Sequence, residues 1–505
     1  MIQLVWFKRD LRVHDHAALS AAAQAGPVLP LYVIETALWQ QPDTALRHWQ
    51  FIAESLQELD QALRQRGQGL LVEQGDMIAV LEKLHRRMGL AAVHVHEETG
   101  NAWTYDRDRR VSRWLKTQGI ALHAYPQFGV VRPLTDRDQW AQGWDAFMAS
   151  TRLTAPARLP AALETRLPDL QVMKLGYEQR PCPGRQRGGR AEALRLMQSF
   201  LDWRSRHYRS SLSSPARASR ACARLSAHLA YGCVSLRELV QATDAALAAQ
   251  PDTAWQRSLA AFKSRLYWHC HFIQKLEDQP DIELYNLNPA MNGLRETPDP
   301  ERLQAWSEGR SGFPLIDACM RQLHHDGWLN FRMRACLVSL ASYQLWLPWR
   351  ETALHLARQF TDYEPGIHYC QIQMQSGTTG INSLRVYNPL KQSLDQDPQG
   401  DYIRHWVGAL RNLPTAWIHQ PWLMPESLQR QYGCRIGVDY PAPLVDSQQA
   451  ARQARAMIKA HLESQSMQQR QDWQAQIRQR HASRKRMPVR RKVKNANADQ
   501  LSLDF

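Results

Sequence analysis

Arg332 and Arg334 in "GWLNFRMRACL", with Asp362 and Glu364 in "FTDYEPGIHYCQIQ", are charges that can pair across the chain. Such pairs are either structural or fix charge beside a ligand. The segment "ACARLSAHLAYG" (221–232) sets Arg224 and Ser226 among small residues just before a helix. N–H groups and a hydroxyl there suit a phosphate, and an N-cap accounts for them equally. "QMQSGTTGIN" (373–382) has two glycines, two threonines and no apolar stripe, so it meets a ligand or makes a turn. Trp and Tyr concentrate in this half, including Trp203, Tyr208, Trp255, Tyr267, Trp268, Trp306, Trp328, Tyr343, Trp346, Trp349, Tyr363 and Tyr369. Most fill a core, and the remainder can stack a flat ligand or a base.

Two kinds of element must position these groups. Short apolar runs at 4–7, 28–35, 70–73, 91–98 and 120–125 alternate with helix-period segments at 46–66, 77–88 and 101–118. That alternation predicts right-handed βαβ units and a parallel, Rossmann-like sheet, whose ligands lie beyond the strands' carboxyl ends. Residues 131–190 are rich in Pro and Arg and read as a connector with a short helix near 136–150. From about 191 long helical patterns take over, giving an all-α domain to 465 behind the α/β domain of 1–130. Residues 466–505 become basic and poor in apolar residues, which predicts a flexible tail.

With 505 residues, burial is not limiting and two domains are expected. The net charge of +15 points to a polyanionic partner, because Lys and Arg gain affinity for phosphates by releasing counterions. Eight scattered cysteines with no CxxC pair argue against zinc-ribbon and iron–sulfur sites, so no metal is expected. The N-terminus "MIQLVWFKRDL" becomes charged by Lys8, unlike a signal peptide or a membrane span, and a reduced, cytoplasmic protein is expected.

Taken in order, "VWFKRDLRVHDHAAL", "RLSAHLAYG", "LQAWSEGRSGFPLIDACMRQL", "GWLNFRMR", "TDYEPG", "GTTG" and "RVYNP" resemble the photolyase and cryptochrome flavoproteins over residues 2 to about 425. The resemblance implies a U-shaped FAD within the helical domain. It also implies electron transfer from photoexcited, reduced flavin to a pyrimidine dimer flipped into a cavity over the ring. By motif match, Tyr208 and the segment Cys222, Ala223, Arg224, Leu225 and Ser226, with His228, would hold the FAD phosphates and ribityl. Arg334 and Asp362 would pair beside the ring, with Glu364 where the family often has Asp. His368 falls at the residue facing flavin N5, usually Asn, and a His capping the turn after Pro365 and Gly366 is the other reading.

The same match places Trp268 against the lesion and puts Arg265 where many cyclobutane enzymes have a glutamate, which leaves lesion type open. Asn330 and Phe331 stand where related enzymes have His and Asn. Trp349 matches the middle of the flavin-reducing tryptophan chain, but its flavin-proximal position reads Ile372, and Tyr369, Trp346, Tyr343 or Tyr387 are other routes. Lys263, Arg265, Arg332 and Lys391 are candidate DNA contacts around the cavity. No antenna chromophore is named: "HEETGNAWTYDRDRR" (96–110) reads either as a ligand site at the sheet's carboxyl ends or as a solvated loop and helix start. "QMQSGTTGIN" then reads as a tight connection near the flavin, bent at Gly377 and Gly380.

The C-terminal "QLSLDF" resembles the peptide by which bacterial repair proteins dock on the sliding clamp. Gln500, Leu501, Leu503 and Phe505 would enter the pocket, and a tail that only helps hold DNA is the alternative. The expected function is a light-driven photolyase for pyrimidine dimers, most simply cyclobutane dimers. The other expectation is a cryptochrome photoreceptor without repair activity.

Overall fold

Five short runs become five parallel strands: the three central ones are buried on both faces and need no alternation with polar residues, while the two edge strands are largely half-buried or exposed. In the computed structural model, which describes residues 1–170, 173, 175–381 and 384–481, these are β1 (Ile2–Phe7), β2 (Val28–Ile34), β3 (Leu71–Gln74), β4 (Leu90–His96) and β5 (Ala121–Tyr125). The sheet order is β3-β2-β1-β4-β5, with every pairing parallel. Leu4 and Trp6 of β1 face a core built with Met77, Leu81, Val111 and Leu115. Val5 and Phe7 face the opposite side, where Trp49, Phe51, Ile52 and Leu56 of helix Leu46–Arg64 pack.

This second core does not stop at the sheet. It continues through Phe200, Tyr208, Leu225, Phe262 and Cys270 of the helical part. The connector is also packed, with helix Trp140–Ala149 followed by extended chain whose Ala161 and Glu178 bridge to Val28 and Ala45. Among the described residues no helix is long and apolar enough to cross a membrane.

In the helical part, Thr253–Asp278 is the central element and Pro365–Ser376 lies against it. A Cβ on Gly366 would stand 2.7 Å from the Cα of Ile273, so only glycine permits this approach. The run "QMQSGTTGIN" corrects its sequence reading in part. Gln373, Met374, Gln375 and Ser376 form the last buried turn of that helix rather than a connection. Hydrogen bonds there replace an apolar stripe: Gln373 accepts from Leu287 N at 2.7 Å and donates to the carbonyls of Ile282 (2.8 Å) and Tyr285 (2.7 Å). The bend follows at Gly377 (φ 74°) and Gly380 (φ 67°), and Asn382 lies outside the described residues.

The first part of the segment read as a flexible tail, to His481, is ordered, and residues 482–505 lie outside the described residues. Met467–His481 is a helix in which Ile477 and His481 are buried. Gln474 donates to the Gly380 carbonyl at 2.7 Å, and His481 meets Gln279 Oε1 at 2.8 Å. These polar anchors leave little trace in a hydropathy pattern.

Arg47, buried in helix Leu46–Arg64, donates from Nη1 to the carbonyls of Leu323 (3.2 Å) and Gln359 (2.6 Å). Both carbonyls lie near helix C-termini: that of Leu323 also accepts the Gly327 N–H at 2.9 Å, while that of Gln359 closes its helix and relies on the guanidinium. Arg47→Ala should therefore cost about 3 kcal/mol, read as a lower urea midpoint at unchanged slope.

Candidate functional site

Residues 359–364 link helix Trp349–Gln359 to helix Pro365–Ser376, and four side chains of the α/β domain grip this link. Arg9, just past β1, donates from Nη2 to the Tyr363 carbonyl (2.6 Å) and from Nε to Ala230 (2.8 Å). Arg47 takes the Gln359 carbonyl, and His48 Nε2 donates to the Phe360 carbonyl at 2.9 Å. Asp43 Oδ2 accepts from the Tyr363 hydroxyl at 2.7 Å and from Asn101 Nδ2 at 3.0 Å.

Inside the link, Arg334 Nη2 donates to Asp362 Oδ2 at 2.7 Å while its Nε holds the Leu329 carbonyl at 2.8 Å. Its guanidinium lies 4.0 Å over the Phe360 ring. Asp362 Oδ1 is buried and has no partner. Burial pushes the Glu364 carboxyl up to about 7, only partly offset by Arg9 at 3.4 Å. His368 does not cap the turn after Gly366. Its Nε2–H donates to the Ala353 carbonyl at 2.9 Å, and burial lowers it to about 4, so the ring is neutral and Nδ1 carries the lone pair.

Cys222 follows helix Pro215–Ala221, and Ser226 opens helix Ser226–Ala230. Between them Arg224 takes a left-handed φ of 61°, and its guanidinium lies 4.1 Å over Trp328. Arg204 ties down the carbonyls of Cys222 and Ala223, and Gln186 that of Arg224. Ser226 is not an N-cap: Leu225 holds that position, and Ser226 Oγ is buried without a partner. His228 Nε2 meets the Arg187 carbonyl at 3.1 Å.

On helix Thr253–Asp278, Arg265 stacks 3.9 Å over Trp268, and its positive charge acts on the buried Tyr208 phenol, whose titration burial pushes up. Arg265 and Trp268 are both half-buried. Lys263, two residues earlier, faces the other way and pairs with Asp244 at 2.6 Å. Asn330 corrects its assignment as a nucleic-acid contact: it is buried, with its amide donated to the Leu212 carbonyl at 2.9 Å. Arg332 approaches Gln392 Oε1 at 3.4 Å, and Lys391 is exposed but pairs with Asp395 at 2.9 Å. Trp349 packs in one core cluster with Tyr369 and Ile372 and donates its indole N–H to Asn286 at 2.8 Å. Gln500, Leu501, Leu503 and Phe505 lie outside the described residues.

The segment 96–110 does hold a helix start, Ala102–Thr117, with Asp106, Arg109 and Arg110 exposed, but its other charges are buried or half-buried. Arg107 is buried among Glu35 (2.9 Å), Glu98 (2.6 Å) and Asp108 (2.9 Å), with Lys8 joining Asp108 at 2.8 Å. Beside it, Asp10 Oδ2 faces His96 Nδ1 (2.8 Å) and His16 Nε2 (3.0 Å). His16 Nδ1 accepts the Leu19 N–H, which leaves the proton on Nε2. Asp10 thus carries a buried carboxylate between two imidazole rings.

The family model for DNA photolyase matches residues 3–147, and that for the FAD binding domain of DNA photolyase matches 262–460. A deoxyribodipyrimidine photo-lyase of Streptomyces griseus is 31% identical over 89% of this chain and 97% of its own length. The chain belongs to the photolyase and cryptochrome family. A cryptochrome DASH of Gloeobacter violaceus is 29% identical over 90% of this chain and 95% of its own. A bacterial class III photolyase from Agrobacterium tumefaciens superposes with a TM-score of 0.81 at 25% identity, covering 92% of this chain and 98% of that one. A Synechocystis cryptochrome gives the same score and identity over 90% and 99%. FAD is the cofactor, and the unpartnered Asp362 Oδ1 and Ser226 Oγ fit a ligand that offers a ring N–H and hydroxyl or phosphate groups.

Sequence reasoning missed Arg9, Asp43, Arg47 and His48. Only Arg9 had a visible signal, as a charge directly beyond a buried strand. The raised Glu364 carboxyl sets a pH dependence. Protonation stabilises the folded chain fully below the ordinary value of 4.5, and that contribution is lost as pH rises through about 7. Flavin-free wild type should therefore lose about 3 kcal/mol relative to Glu364→Gln across that window, read from urea midpoints at stepped pH. A pH-independent difference between the two would refute the assignment.

Proposed function

We propose that this protein is a light-driven DNA photolyase acting on pyrimidine dimers, with cyclobutane dimers as the first substrate to test. When bound and reduced, FAD supplies the photoexcited electron donor. In this reading Asp362 and Arg334 fix charge at the flavin ring, with Glu364 behind them. Arg224, Ser226 and His228 hold the phosphates and ribityl, on a turn shaped by Cys222, Ala223 and Leu225. His368 presents its Nδ1 lone pair to the ring as a hydrogen-bond acceptor.

The observation that carries the reading is the half-buried Arg265–Trp268 pair beside Tyr208. An indole face stacks an extruded base, and a guanidinium held on it offers hydrogen-bond donors to carbonyl or phosphate oxygens. Where many relatives present a carboxylate, this chain presents the donors of Arg265, which would read an acceptor edge of the lesion. Arg332 and Lys391 would hold the flanking phosphates, which the net charge of +15 favours. The name of the Streptomyces griseus relative supports repair. The second reading, a photoreceptor without repair, is favoured by Ile372 at the relay position and by the cryptochrome relatives.

The test is blue illumination of the reduced flavoprotein with dimer-containing oligonucleotides, single-stranded and duplex. Light-dependent loss of dimer is expected, and none in either strand form sinks the repair reading. Trp268→Ala should lower repair at least tenfold, since base stacking contributes about 1–3 kcal/mol. Clamp docking through the terminal peptide belongs to the same proposal: deleting 500–505 should abolish clamp pull-down and leave repair of free oligonucleotides unchanged.

A further inference from the structure

We propose that Tyr363 is the residue oxidised when light reduces the oxidised flavin, and that Asp43 takes its proton. The proposal rests on the assignment of the 359–364 link to the flavin, and its test requires no DNA. Ile372 cannot be oxidised, so the expected tryptophan route is broken where it should meet the flavin. Trp349 faces the Asn286 amide, a neutral group that does not accept a proton.

Tyr363 has the surroundings that Trp349 lacks. It lies between Asp362 and Glu364, and its ring meets His368 edge-on at 5.2 Å and stacks on His48 at 6.0 Å. Its hydroxyl is 2.7 Å from Asp43 Oδ2. Asp43 is buried, and its second oxygen, Oδ1, has no partner. A phenol gives up an electron far more readily when its proton can leave at the same time, because the phenol radical cation is a very strong acid. Here the acceptor is already hydrogen-bonded. Burial, reinforced by the Asp43 charge, holds the Tyr363 phenol well above its usual range, so the proton stays on oxygen until the electron leaves.

The step balances. One electron passes from the Tyr363 ring to the photoexcited oxidised flavin, the O–H bond breaks, and the proton goes to Asp43 Oδ2. A neutral tyrosyl radical and a neutral carboxylic acid remain. The Tyr369 hydroxyl, 3.3 Å away, is the next donor and passes a hydrogen atom to the Tyr363 radical. An added thiol in solution refills the hole with a hydrogen atom.

The test is flash photolysis of the oxidised, FAD-loaded full-length protein without DNA, read by transient absorption and electron paramagnetic resonance. A neutral tyrosyl radical is expected, with its formation slowed at least twofold in D2O. Tyr363→Phe should remove that signal and slow photoreduction at least tenfold at unchanged flavin content. Asp43→Asn should cut the radical yield at least fivefold while keeping the phenol. A tryptophanyl radical in the wild type, lost in Trp349→Phe, overturns the proposal without reliance on either variant. So does a tyrosyl signal that persists in Tyr363→Phe.

Discussion

The Gln359 carbonyl ends helix Trp349–Gln359, and the link beyond it is held from outside its own domain. Arg47 crosses from the α/β domain to take that carbonyl, His48 and Arg9 take the Phe360 and Tyr363 carbonyls of the link, and Asp43 holds the Tyr363 hydroxyl from the same side. With its backbone fixed from one side, the link turns Asp362 to Arg334, its one ion-pair partner among the described residues. A buried carboxylate left without such a partner would cost several kcal/mol, so the grip and the ion pair require each other. The α/β domain thus shapes the surroundings of Asp362 in the helical part.

Much of this architecture was legible in the sequence for physical reasons. All five strands lie where short apolar runs predict them, and the three central ones, covered on both faces, show no alternation. The Arg334–Asp362 pair also forms as expected. What failed were elements held by polar contacts. Gln373 fills the core through hydrogen bonds, and the helix Met467–His481 docks through Gln474 and His481, so hydropathy called one a connection and the other a tail. Asn330 was misread because a cavity position and a buried tether look alike in one dimension.

Pairs remote in sequence were the least accessible. Asp43 and Tyr363 are separated by 320 positions, and neither residue type signals the other. The segment 96–110 shows the same limit in reverse. Its charges suit a wet surface, yet Arg107 and Glu98 neutralise one another inside the protein at the sheet's carboxyl ends. Buried ion pairs thus lie beside the carboxyl ends of the strands, the edge where open α/β sheets usually bind ligands.

Family comparison divides the chain into two separate blocks, 3–147 and 262–460, as though they were modules. The shared core running from Phe7 and Trp49 to Tyr208 and Phe262 gives a different partition. A half taken from a relative would meet this seam with side chains of other sizes, so a chimaera should pack poorly unless the residues on both sides change together.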